Sequence, residues 1–162
     1  MNSLHTKTAG LTLVEVLVAT AIIMGFLTTL VTVHNAYLNS SFSNLNSVKA
    51  TYLGEEGIEA IKGLRDSSWT SNIRSLTNGT VYYLSFQGGT WTTTTTPSVI
   101  DSQFTRTIVL SAVNRDASSD ITLSGGTLDQ NTRKVHVDVS WVDHAATSTR
   151  VIDTYITNIF TN

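Results

Sequence analysis

Glu15 is the residue whose chemistry is hardest to account for. It stands inside an almost unbroken apolar run, residues 11–33 (LTLVEVLVATAIIMGFLTTLVTV), whose other polar members are small hydroxyls. An acidic side chain in hydrocarbon costs on the order of 2.5–3.5 kcal/mol at mid-membrane and less near the interface, so this carboxylate needs a partner. A chain cut between Gly10 and Leu11 supplies one. The new α-amine on Leu11 has a pKa near 8 and is largely protonated at neutral pH. Residues four apart share a helix face, so amine and carboxylate meet within one helix or across to an identical neighbour. Removing one member of an ion pair from an apolar setting costs several kcal/mol, which is enough to register one subunit against the next.

The remaining candidates for chemistry are weaker. His5, His34, His136 and His144 are scattered and form no zinc-binding spacing such as His-Glu-x-x-His. His136 and Asp138 fall on the polar side of an alternating segment, the ordinary place for such residues. Asp116, Asp120 and Asp129 surround a Ser/Gly-rich stretch, and carboxylate and carbonyl oxygens suit calcium; the alternative is a solvated loop. A hydrolase built on Asp138 or His144 lacks a nucleophile constellation, and no Gly-x-Ser-x-Gly elbow or phosphate loop occurs. The chain has no cysteine, so disulfides, zinc knuckles and thiol nucleophiles are excluded. Ten basic and twelve acidic residues, with no run of either sign, argue against a nucleic-acid-binding face. We therefore expect no enzyme, no cofactor and no nucleic-acid partner.

The elements that position Glu15 follow from length and patterning. The 162 residues allow one globular unit and an appended segment. Charged residues make up only 14%, and about 45 positions are serine or threonine, so the polar surface is made of hydroxyls. As a helix, residues 11–33 extend about 34 Å, enough to cross a hydrocarbon core near 30 Å thick. A cleaved secretory signal would have a shorter apolar core, and a plain anchor leaves Glu15 unpaired. Cleavage after Gly10 resolves the charge.

At Gly10, Leu11, Thr12, Leu13, Val14 and Glu15, followed by the apolar helix, the sequence resembles the type IV pilin and pseudopilin family. That resemblance implies cleavage after Gly10 by a prepilin peptidase and N-methylation of Leu11. It further implies packing of the apolar helices into a filament core, with Glu15 facing a neighbour's amino terminus. The implied partners are other pilin subunits, the peptidase, an inner-membrane assembly platform and membrane lipid before assembly. The implied location is a single pass of the cytoplasmic membrane with the carboxy-terminal domain outside, then an extracellular pilus or pseudopilus. Leu11 stands where many major pilins have phenylalanine, the only proline is Pro97, and no disulfide is possible. These departures weigh against a typical major subunit and leave minor pilin and pseudopilin both open. Residues 52–69 (YLGEEGIEAIKGLRDSSW) also resemble the helix end of minor pilins of the PilV type, though an amphipathic helix end laid on a sheet explains them nearly as well.

Past Val33 the pattern turns amphipathic. Leu38, Phe42, Leu45, Val48 and Tyr52, then Ile58, Ile61 and Leu64, recur at helical spacing, so one helix extends from Leu11 to about Asp66, with Gly25, Gly54 and Gly57 as possible bends. After Trp69 the period becomes two. Strands are expected over residues 80–86, around Trp91, over 104–113, over 134–142 and over 151–160, with Gly88-Gly89 as a tight hairpin and Asn78-Gly79 as a turn. Residues 90–98 (TWTTTTTPS) fit an edge strand, a loop or an O-glycosylated patch. Asn39 and Asn78 begin glycosylation sequons.

The expected fold is α+β: a long amino-terminal helix, membrane-spanning in its first half and amphipathic in its second, packed on a carboxy-terminal antiparallel sheet. The segments are a leader (1–10), an assembly helix (11–33), its amphipathic continuation (34–68) and a β domain (69–162). Against the filament subunit stands a second reading, a membrane-anchored extracellular binding domain that never polymerises.

Overall fold

The computed structural model describes residues 10, 12–143 and 146–159. Leu11, His5 and His144 lie outside the described residues. The fold is the expected one, a single long helix, α1 (Leu13–Ser67), followed by an antiparallel sheet. Thr12 starts the helix. Its hydroxyl and its carbonyl both accept the Glu15 N–H, at 3.3 and 3.1 Å, which satisfies a donor that the first turn would otherwise leave unpaired. No break interrupts the helix at Gly25, Gly54 or Gly57.

The chain divides into two compact units between Ser43 and Asn44. In the first, the large apolar side chains are exposed, from Leu38 at 38% to Leu13 at 79%. The threonines of this stretch are satisfied locally: Thr20, Thr28, Thr29 and Thr32 donate their hydroxyls to carbonyls three or four residues earlier. A helix built this way presents no unpaired hydroxyl to hydrocarbon. By length and composition α1 is apolar enough here to cross a membrane.

In the second unit, the rest of α1 lies on the sheet. A π-helical turn (Trp69–Arg74) follows, and it was not foreseen. Seven strands come next: β1 (Val81–Gln87), β2 (Thr90–Thr94), β3 (Val99–Ile100), β4 (Phe104–Arg115), β5 (Ile121–Thr122), β6 (Thr127–Asp143) and β7 (Ala146–Thr157). Their spatial order is β2-β1-β4-β6-β7, with β3 and β5 added to β4. Gly88 and Gly89, both at positive φ, close the β1–β2 hairpin with Gln87 opposite Thr90. That is the geometry a two-residue type I′ turn demands. The low-complexity stretch is thus resolved as an edge strand through Thr94 and a loop after it. Strands β6 and β7 are longer than the alternation suggested. They stay paired as far as Asp143 and Ala146, so Asp143 and residues 146–150, between the two expected strands, are strand as well.

The core faces α1. Val135, Val137 and Val139 on β6, Phe104, Ile108 and Leu110 on β4, and Ile61 on α1 are wholly buried. The helical face that covers them differs from the expected stripe. Ile58, Ile61 and Leu64 are buried as anticipated, but upstream the sheet is met by Ala50, Gly54 and Gly57. Leu45, Val48 and Tyr52 are more than half exposed. Gly57 explains the choice of face: a Cβ there would lie 3.1 Å from Arg106 Cδ and 3.2 Å from Val137 Cγ1. A helix face of Ala and Gly reaches the sheet more closely than one of Leu and Tyr, and the bulky residues are turned outward.

Candidate functional site

The amino-terminal site is carried by the first turn of α1. Glu15 is exposed, and among the described residues its carboxylate has no ion-pair or hydrogen-bond partner. The only acidic residue of that turn, it sits at the positive end of the helix dipole, where a carboxylate is stabilised by roughly 0.3–1 kcal/mol. Thr12-x-x-Glu15 also has the spacing of a capping box, a local reason for the residue that the membrane argument overlooked although the spacing was legible. Two explanations of Glu15 therefore stand side by side, one local and one requiring a second chain. Gly10 is exposed and lies outside any helix or strand.

The acidic loop is organised by a cation the protein already owns. Arg115, at the end of β4, donates from Nε to Asp129 Oδ2 at 2.7 Å and from a terminal nitrogen to the Ser119 carbonyl at 2.8 Å. Asp116 is committed as well: its Oδ1 accepts the N–H groups of Ser118 and Asp120 at 2.9 and 3.0 Å. Carboxylate oxygens of Asp129 and Asp116 are thus engaged by a guanidinium and by backbone amides. Asp116, Asp120 and Asp129 are not brought together, and no group of three His, Cys, Asp or Glu suited to a metal occurs among the described residues. The Arg115 hydrogen bond, seconded by Thr132, holds the Asp129 carboxyl below its ordinary range against the opposing effect of burial.

On the wet face of the sheet, His136 and Asp153 stand opposite each other on β6 and β7, and His136 Nδ1–H donates to Asp153 Oδ1 at 2.7 Å. Lys134 lies 3.2 Å from the other carboxylate oxygen. These contacts, His136 first, lower the Asp153 pKa. Asp138 is opposite Thr107 on β4 and Val151 on β7. The face is an ordinary cross-strand polar network.

Sequence reasoning missed Arg106. It points from β4 to the core side, is 4% exposed, and donates to the Leu53 carbonyl at 2.9 Å and to Glu56 at 2.6 Å. Its guanidinium also lies 5.5 Å from the centre of the Trp91 ring. An arginine in an otherwise alternating apolar row (Phe104, Ile108, Leu110) was the available signal. No protein-family model, curated protein or solved structure matches the chain.

Proposed function

We propose that this chain is a structural subunit of a type IV pilus-like filament, of the minor-pilin or pseudopilin kind. In this reading it is held in the cytoplasmic membrane by α1 until a prepilin peptidase cuts after Gly10. The amine of Leu11, then methylated, becomes the counter-ion that Glu15 lacks, supplied by a neighbouring subunit during polymerisation at the assembly platform. One observation supports this reading most directly: within the first unit α1 leaves its apolar side chains exposed and carries a single acid, Glu15, which has no partner among the described residues. Lipid accounts for the apolar surface of the first unit. It does not account for the charge, nor for Leu45, Val48 and Tyr52 in the second. Neighbouring copies of the helix account for all three.

Mass spectrometry of protein extracted from its own cells tests the reading. Loss of the first ten residues together with the gain of one methyl group is the expected result; a membrane-resident chain that keeps Met1 favours the non-polymerising anchor. Glu15→Ala separates the two explanations of that residue. A capping role alone predicts that the variant is cut and still enters filaments, whereas the pairing role predicts that it is cut and left behind in the membrane.

A further inference from the structure

A groove of about 670 Å³ opens between the end of α1, the π-helical turn and the edge strand β2. That volume falls in the usual range of small-molecule sites, roughly 300–1,000 Å³. No charged side chain lines it. Phosphates, carboxylates and cations would therefore find no complementary charge there. What it offers is hydroxyl, amide and indole. The side-chain hydroxyls of Ser67, Ser71 and Thr93 make no hydrogen bond among the described residues. Asn72 is fixed by donating its amide to the Leu64 carbonyl at 3.0 Å, which leaves its oxygen free to accept. Trp91, the single aromatic side chain of the lining, is braced from two directions, by Phe86 at 4.9 Å and by the Arg106 guanidinium at 5.5 Å.

A ligand that matches this lining has an apolar face for the indole, uncharged donors and acceptors at its rim, and no formal charge. A pyranose ring has that construction: axial C–H groups on one face and hydroxyls around the edge. We propose that the groove binds a neutral carbohydrate, stacked on Trp91 and hydrogen-bonded by Ser67, Ser71, Asn72 and Thr93. Because Trp91 is already immobilised, little ordering is required on binding. An added peptide strand along β2 is the competing occupant, but strand addition draws its specificity from pockets for alternate side chains, and this wall supplies hydroxyls instead. The proposal concerns the second unit alone and does not depend on polymerisation.

The full chain, solubilised in a phosphocholine detergent that carries no sugar, is titrated with neutral hexasaccharides of glucose, in both α and β linkages, and of N-acetylglucosamine. Tryptophan emission is the readout. Trp69 and Trp141 are 6% and 5% exposed, so the response reports chiefly on Trp91. A saturable change with at least one sugar is expected, abolished by Ser71→Arg, which places a long side chain in the groove; Trp91→Ala removes the reporter, so its affinity is read by calorimetric titration and is expected to fall at least tenfold. Ser71 is exposed, so Ser71→Arg leaves the melting curve unchanged and carries the test if Trp91→Ala unfolds. The proposal is overturned if no sugar of the set saturates the signal, if Ser71→Arg binds as the unaltered chain does, or if a Thr-rich strand peptide binds where the sugars do not.

Discussion

Arg115, at the end of β4, adds side-chain bonds to the loop at Ser119 and, beside the strand pairing, to the start of β6 through Asp129 and Thr132. Among the described residues the Asp129 carboxylate is its only charged partner, and the Asp129 side chain is 18% exposed, so solvent screens the pair only in part. A carboxyl whose folded pKa is depressed contributes stability that is fully present above its unfolded value, near 4, and is lost as pH falls through the folded value. Asp129 and Asp153 both have this sign. We therefore expect the melting temperature of the second unit to be flat from pH 7 to about 5 and to drop as the pH falls below about 4. Asp129→Asn, at an overall cost of about 1–3 kcal/mol, should make that drop shallower. An unchanged acid limb in Asp129→Asn would show that the Arg115 pair does not couple to folding. Asp153, 45% exposed and shared between His136 and Lys134, should contribute less, because solvent screens pairs of that kind.

Two glycines of one helix differ in what they do, and the difference fixes a prediction at the scale of the element. Gly63 has open space where a Cβ would go, so Gly63→Ala should stabilise the fold by about 0.5–1 kcal/mol through helix propensity alone. Gly57→Ala gains the same propensity but forces a methyl against Arg106 and the β-branched Val137, an overpacking cost of about 1–3 kcal/mol. The net should be destabilising by up to about 2 kcal/mol, and a pair of thermal melts decides it. The same contrast explains what patterning alone revealed. Periods of 3.6 and 2 placed the helix, the Gly88-Gly89 hairpin and the alternating β6 face, because these are local and repeat. Which face of α1 lies on the sheet was not legible. Both stripes have helical spacing, and choosing Ala50, Gly54 and Gly57 over Leu45, Val48 and Tyr52 requires knowing how closely the backbones approach. The groove was hidden for a related reason: Ser67, Ser71 and Asn72 are far in sequence from Trp91 and Thr93, and only the fold makes them neighbours. Glu15 was legible because its anomaly, a carboxylate in an apolar run, is local.

A 55-residue helix rises about 83 Å, while a hydrocarbon core takes up about 30 Å, so a bilayer crossed by α1 would cover well under half of it. In the proposed filament subunit, the membrane and the neighbouring helices would therefore make separable demands on one element. Ile23→Arg places a charge deep in the apolar stretch at a cost of about 2.5–3.5 kcal/mol and should reduce retention in membranes that have been washed at high pH. Leu45→Ser with Tyr52→Ser tests the other demand. Both side chains are exposed, at 62% and 67%, so their loss should change the stability of the second unit by no more than about 0.5 kcal/mol. Membrane retention should also be normal, since residues 13–33 are untouched. If neighbouring helices cover this stripe, the double variant should nevertheless disappear from the sheared surface fraction while persisting in membranes, as immunoblots of the two fractions would show. An anchor that never polymerises has no use for an apolar stripe outside the bilayer. Equal amounts of variant and unaltered chain in the surface fraction would mean that Leu45 and Tyr52 meet no neighbour, and helix packing would then have to be confined to the segment that carries Glu15.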